Sequence, residues 1–169
     1  MAKKTKPIVG VVMGSDSDLN TMQRCLKQLD EFGIAYEVRI ISAHRTPDIA
    51  HEYSTTAIKR GLKVIIAAAG MSAALSGVLA ASTTLPVIGV PMASGPLVGI
   101  DAALSTMQMP PGIPVACMSI GGAGATNAAI YAATIIGVSD KAIAAKLVRF
   151  KKAQAKKVAK KDAELQKSL

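Results

Sequence analysis

Two short polar segments carry most of the reactive side chains in this sequence. The first, Gly14-Ser15-Asp16-Ser17-Asp18, follows an apolar run from Ile8 to Met13 and leads into a helical pattern. Free backbone N–H groups and the positive end of a helix dipole favour an anion at such a junction, and a phosphate fits there. An acid among phosphate ligands usually has another task, such as gripping ribose hydroxyls. Ser17 or Asp18 acting only as a helix cap accounts for the same residues without a ligand. The segment lacks the GxxxxGKS/T pattern of a P-loop, and Gly121-Gly122-Ala123-Gly124 is not a GxGxxG. Neither a nucleoside triphosphate nor a dinucleotide is indicated.

The second segment is Ser42-Ala43-His44-Arg45-Thr46-Pro47-Asp48. His44 stands directly after an apolar strand pattern, flanked by a serine and an arginine, and imidazole is the side chain best tuned for proton transfer near neutral pH. His51, the other histidine, lies in the following helix beside Glu52 and Tyr53 and reads as a surface residue. A third segment, Gly70-Met71-Ser72-Ala73-Ala74-Leu75-Ser76-Gly77, lets backbone approach a ligand closely or lets a helix approach a strand. No carboxylate pair, Ser-His-Asp order or metal cluster is visible, so the chemistry reads as proton shuttling.

These segments sit at the ends of repeating units. Apolar runs Ile8 to Met13, Ala35 to Ile41, Val64 to Ala68, Pro86 to Val90 and Ile113 to Met118 read as five strands. Helical patterns follow them: Leu19 to Phe32, stopped by Gly33; a helix started by Pro47; an Ala-rich helix from about Ser72 to Ser82; and one from about Ala123 to Ile136. Continuous apolar strands imply a parallel sheet covered on both faces, hence an α/β three-layer sandwich, doubly wound and flavodoxin-like, with strand order 2-1-3-4-5. In that architecture ligands bind beyond the carboxyl ends of the strands near the order switch, which is where the three polar segments fall.

Composition sets the remaining bounds. The chain has 169 residues, half of them hydrophobic, only 3% aromatic and no Trp, which suits one core of small aliphatic side chains. Residues 1–6 read as a disordered basic terminus, 7–140 as the catalytic domain and 141–169 as a C-terminal amphipathic helix with Ile143, Leu147, Phe150, Val158 and Leu165 at helical spacing. Of the net charge of +9, the segment 141–169 supplies +8. The basic character is therefore a property of the tail, and without interleaved aromatic residues it does not point to nucleic acid. No stretch is long and apolar enough for a membrane span, and the first apolar run is too short for a signal peptide, so a cytoplasmic location is expected. Cys25 and Cys117 read as buried free thiols.

Together with Met107-Gln108-Met109-Pro110-Pro111-Gly112-Ile113-Pro114-Val115, the segments beginning at Met13 and Ser42 resemble the 5-(carboxyamino)imidazole ribonucleotide mutase family, over about Pro7 to Phe150. The resemblance implies a step of de novo purine synthesis in which a carboxylate moves from an exocyclic nitrogen to a ring carbon. It implies a reaction with no metal and no organic cofactor, in which carbon dioxide is released and recaptured. Ser15, Ser42 and Arg45 match phosphate-binding positions, Asp18 a ribose-hydroxyl ligand and His44 the general acid and base. Ser17, Gly70, Ser72 and Leu75 complete the candidate substrate-binding set. The resemblance further implies a homo-octamer whose terminal helices reach across subunits. One departure stands out: Ala74 and Ser76 replace a histidine and a proline of the mutases. Direct carboxylation of aminoimidazole ribonucleotide is therefore an alternative, and an inactive nucleotide-binding paralogue a third.

Overall fold

A computed structural model describes residues 6–169; of the expected disordered terminus, residues 1–5 lie outside the described residues. The strands are β1 (Val9–Met13), β2 (Tyr36–Ile40), β3 (Val64–Gly70), β4 (Val87–Met92) and β5 (Ala116–Cys117). They form one parallel sheet in the order β2-β1-β3-β4-β5. The helices are α1 (Leu19–Phe32), α2 (Pro47–Arg60), α3 (Leu75–Ala80), α4 (Ile100–Met107), α5 (Gly121–Gly137) and α6 (Lys141–Gln166). Flavodoxin-like double winding is thus present, with helices on both faces.

Alternation along the strands divides the core. Val9, Val11 and Met13 of β1 point with Val64, Ile66, Ile88 and Val90 toward α1 and α5, while Val12, Ile65, Ala67 and Val87 point toward α2 and α3. Alanines make the first layer thin: Ala125, Ala128, Ala129, Ala132 and Ala133 of α5 are all fully buried. In the second layer Gly10 leaves the space that the Tyr53 hydroxyl occupies.

Local signals explain the element ends. α1 buries Met22, Cys25, Leu29 and Phe32 along one face and stops where Gly33 turns left-handed at φ 62°. Gly33 N–H donates to Asp30 O and Ile34 N–H reaches back to Leu29 O (3.0 Å), which satisfies carbonyls the helix would orphan. α2 starts with Pro47 in its first turn and ends at Gly61, also left-handed.

Several expectations shift. α3 is shorter than Ser72 to Ser82, because Met71 at φ 54° and a turn from Ala73 N–H to Met71 O delay the helix to Leu75. The fifth strand shrinks from Ile113–Met118 to Ala116–Cys117, since Pro110, Pro111 and Pro114 offer no N–H to a ladder. Between the fourth and fifth strands the chain also forms α4, an element the apolar-run reading does not include. It is brief and half-exposed, and it settles on the sheet where Gly89 lacks a side chain and Thr106 fills the space. β2 is an edge strand with a half-exposed Tyr-Glu-Val-Arg-Ile pattern rather than a doubly covered one. Cys25 is buried, but Cys117 is only half-buried.

The tail forms one helix. Asp140 caps it by accepting from Ala142 N–H (2.9 Å) and Ile143 N–H (3.1 Å). Ile143 is buried, Leu147 and Phe150 pack on the first core layer, and Phe150 meets Phe32 edge-on with centroids 5.5 Å apart. From Lys151 onward every residue is exposed, so the apolar stripe of Val158 and Leu165 extends beyond the body of the chain. No helix among the described residues is long and apolar enough to cross a membrane.

Candidate functional site

Beyond the carboxyl ends of β1 to β4 lies a cleft of about 560 Å³. Ser15, Ser17, Asp18, Ser42, His44, Arg45, Gly70, Ser72 and Leu75 all line it. The fold therefore brings every candidate residue to one place, although the segments lie up to 60 positions apart in sequence.

The loop after β1 is tied to itself. Ser15 is extended and its Oγ accepts from Ser17 N–H (3.3 Å); the two serine hydroxyls lie 2.9 Å apart. Asp16 Oδ1 accepts from Ser17 N–H (3.1 Å) and from the Ser15 hydroxyl (3.2 Å). A 3-10 turn over Asp16–Asp18 then hands the chain to α1. Asp18 occupies the cap position of α1, yet its side chain makes no cap hydrogen bond. Capping therefore does not account for it. It is buried against the cleft, and desolvation holds its carboxyl above the usual range, offset in part by hydrogen bonds from Ser15 and Ser17, with the Asp16 charge adding to the rise.

The loop after β2 is braced by Thr46. Its hydroxyl accepts from Ser42 N–H (3.0 Å) and donates to Ser42 O (2.9 Å), while Thr46 N–H also reaches Ser42 O (2.9 Å). That explains why Thr46 makes no side-chain cap on α2: its hydroxyl is spent on the turn that presents His44. Ser42 Oγ accepts from Arg45 N–H (3.1 Å) and Arg45 Nε–H (3.4 Å). The Ser42 hydroxyl donates to no group among the described residues, and Arg45 pairs with no acid among them. A cation, a hydroxyl and an adjacent imidazole at one turn are side chains able to bind an anion and to carry a proton.

The third wall is less polar. Gly70 ends β3 and lines the cleft, but its missing Cβ makes room for Ser94 from the loop after β4. Close packing is thus one reason for glycine here. Ala73 and Leu75 are buried and Ser72 is exposed at the rim. Ala74, at the departure from the mutase pattern, lines the same wall. Ser94 is a lining residue that attention to the first three loops omits; its signal is the Ser-Gly-Pro turn directly after the fourth apolar run. His51 lies outside the cleft, with Nδ1 3.1 Å from Ser82 Oγ. In the Gly121-Gly122-Ala123-Gly124 run, Cβ atoms at Gly122 and Gly124 would run into Arg24 and the Ser119 carbonyl, so close packing accounts for those two glycines.

A parallel doubly wound sheet with its polar loops gathered at the order switch defines an α/β protein with a cleft suited to a phosphorylated small molecule. The AIR carboxylase family model matches residues 8–157, and the chain belongs to that family. It is 54% identical over 142 residues to the N5-carboxyaminoimidazole ribonucleotide mutase of Bacillus subtilis, covering 84% of this chain and 88% of that one. The Mycobacterium tuberculosis protein of the same name is 52% identical over 161 residues, covering 95% and 91%. Among solved structures, Treponema denticola PurE superimposes with a TM-score of 0.82 at 34% identity, covering 94% of this chain and 98% of that one. A PurE2 variant from that organism gives a TM-score of 0.86 at 31% identity, covering 95% and 99%.

Proposed function

We propose that this chain is an isomerase that converts 5-(carboxyamino)imidazole ribonucleotide to 4-carboxy-5-aminoimidazole ribonucleotide, with His44 as general acid and base. The observation that carries this reading is the cleft, which gathers His44, Arg45, Ser42 and Asp18, in a chain about half identical to named mutases. Arg45, Ser42 and Ser15 hold the phosphate, Asp18 takes the ribose hydroxyls, and Ser17, Gly70, Ser72 and Leu75 contact the rest.

The proton balance suits one imidazole. Protonated His44 gives its proton to the exocyclic nitrogen as the N–C bond to the carboxylate breaks, which releases carbon dioxide and the free amine. The ring carbon then attacks the trapped carbon dioxide, and neutral His44 removes the displaced ring proton, returning to its starting state. No metal or organic cofactor enters this scheme.

Ala74 favours a second reading, because the cleft wall that carries a histidine in the mutases is aliphatic here. In that reading the enzyme carboxylates aminoimidazole ribonucleotide with free carbon dioxide. Purified protein given carboxyaminoimidazole ribonucleotide, and separately aminoimidazole ribonucleotide with bicarbonate, discriminates the two. Turnover of the first without bicarbonate supports the mutase, turnover of the second alone selects the carboxylase, and turnover of neither leaves a binding module.

The outer half of α6 supports a homo-oligomer, an octamer by family resemblance, in which its exposed Val158 and Leu165 pack on a neighbouring subunit. The site and this assembly fit a cytoplasmic enzyme without nucleic-acid or membrane partners.

A further inference from the structure

The loops after β3 and β4 are interlocked. A Cβ on Gly70 would coincide with Ser94 Oγ, and a Cβ on Gly95 would lie 3.3 Å from Met71 Cγ. Each glycine therefore receives a side chain of the other loop, and Met71 holds a left-handed backbone (φ 54°) within this contact. Such strain persists where the surroundings over-determine it. Ser94 N–H donates to Met92 O (2.9 Å), which fixes its turn. Its hydroxyl lines the cleft, is half-buried, and makes no hydrogen bond among the described residues.

Sheet order says which end of a ligand this hydroxyl meets. Arg45 and Ser42 follow β2 and Ser15 follows β1, so the anion end lies at that side of the cleft. Ser94 follows β4, three strand positions from β2. At about 4.8 Å per strand the β2 and β4 axes are about 14 Å apart, and side chains reach in from both loops, so a ring held between them meets His44 on one side and Ser94 on the other. The same cleft is lined by Ala69, Met71, Ala73, Ala74 and Leu75, an apolar surface against which a flat ring packs. Polar substituents of that ring need a donor or acceptor there, and the shielded hydroxyl available is that of Ser94.

We propose that Ser94 is a substrate-binding residue whose hydroxyl hydrogen-bonds the amine or carboxylate of the heterocycle, held ready by the glycine at position 70. This rests on the ribonucleotide reading above. Ser94→Ala is expected to lower kcat/KM for carboxyaminoimidazole ribonucleotide about tenfold, the loss of one hydrogen bond to a charged group. Inhibition by ribose 5-phosphate, which lacks the heterocycle, is expected to stay within about twofold of wild type. Gly70→Ala displaces the Ser94 hydroxyl and is expected to reproduce the loss. The double variant is expected to be no worse than Ser94→Ala alone, because both changes remove one contact.

Wild-type kcat/KM in Ser94→Ala would overturn the proposal, as would an equal loss of ribose 5-phosphate inhibition, which marks a general distortion of the cleft. Additive losses in the double variant would overturn the role given to Gly70. Absence of turnover by the unaltered enzyme would overturn the ribonucleotide reading itself, and is seen before any variant is made.

Discussion

Arg45→Ala tests the anion site without disturbing the loop that builds it. The loop is held by Thr46 through its bonds with Ser42 N–H and Ser42 O, and by Arg45 N–H donating to Ser42 Oγ at 3.1 Å. Alanine keeps that backbone donor and removes only the guanidinium, with its 3.4 Å contact to Ser42 Oγ. Arg45 is exposed and forms no ion pair among the described residues, so stability is expected to change by less than about 0.5 kcal/mol. A charge-assisted contact to phosphate contributes about 1.5 to 3 kcal/mol, equivalent to about a 10- to 150-fold weaker ligand. Calorimetric titration with aminoimidazole ribonucleotide measures this directly, and the KM for the carboxylated substrate is expected to rise in step. The weakening is expected to shrink as salt is added, since the guanidinium is solvent-exposed. An unchanged dissociation constant would refute the placement of phosphate beside Arg45.

Asp18 links pH to stability. Its folded-state carboxyl is raised above 3.8, so the folded chain binds that proton more tightly than the unfolded chain does. The contribution favours folding at low pH and is lost as pH rises from about 3.8 through the raised value. Asp18→Asn is accordingly expected to raise the melting temperature at pH 7 while weakening ribonucleotide binding; a lower melting temperature would contradict the burial argument. Ile143→Ala is expected to cost about 2 to 4 kcal/mol in denaturant unfolding, as for a core site, because the base of α6 belongs to the first core layer. Burial pushes the Cys25 thiol up to about 12, so a disulfide reagent at pH 8 is expected to label Cys25 only after denaturation, as peptide mapping would show.

The sheet was readable because β1, β3 and β4 are continuous apolar runs and glycine and serine punctuate the loops that follow. α1 is recovered to the residue, since Gly33 leaves the helix no right-handed continuation. The chain between β4 and β5 is where pattern fails. α4 is eight residues long, with Leu104 and Met107 exposed, so its residues do not show a helix with one buried face. The three prolines before β5 leave a two-residue strand that no periodicity can mark. Site residues gathered in the cleft because the order switch is a property of topology, which strand order alone supplies. Ser94 escaped because its partner is the absent side chain of Gly70, a contact between loops that only coordinates reveal.

The central claim is that His44 moves the proton in this cleft. It is tested most directly by following carboxyaminoimidazole ribonucleotide, without bicarbonate, with the wild-type enzyme and with His44→Asn in parallel. Conversion by wild type is expected, and in the variant a fall in kcat of about 10²- to 10⁴-fold with ligand affinity kept within about tenfold. Near-normal turnover by His44→Asn would contradict it.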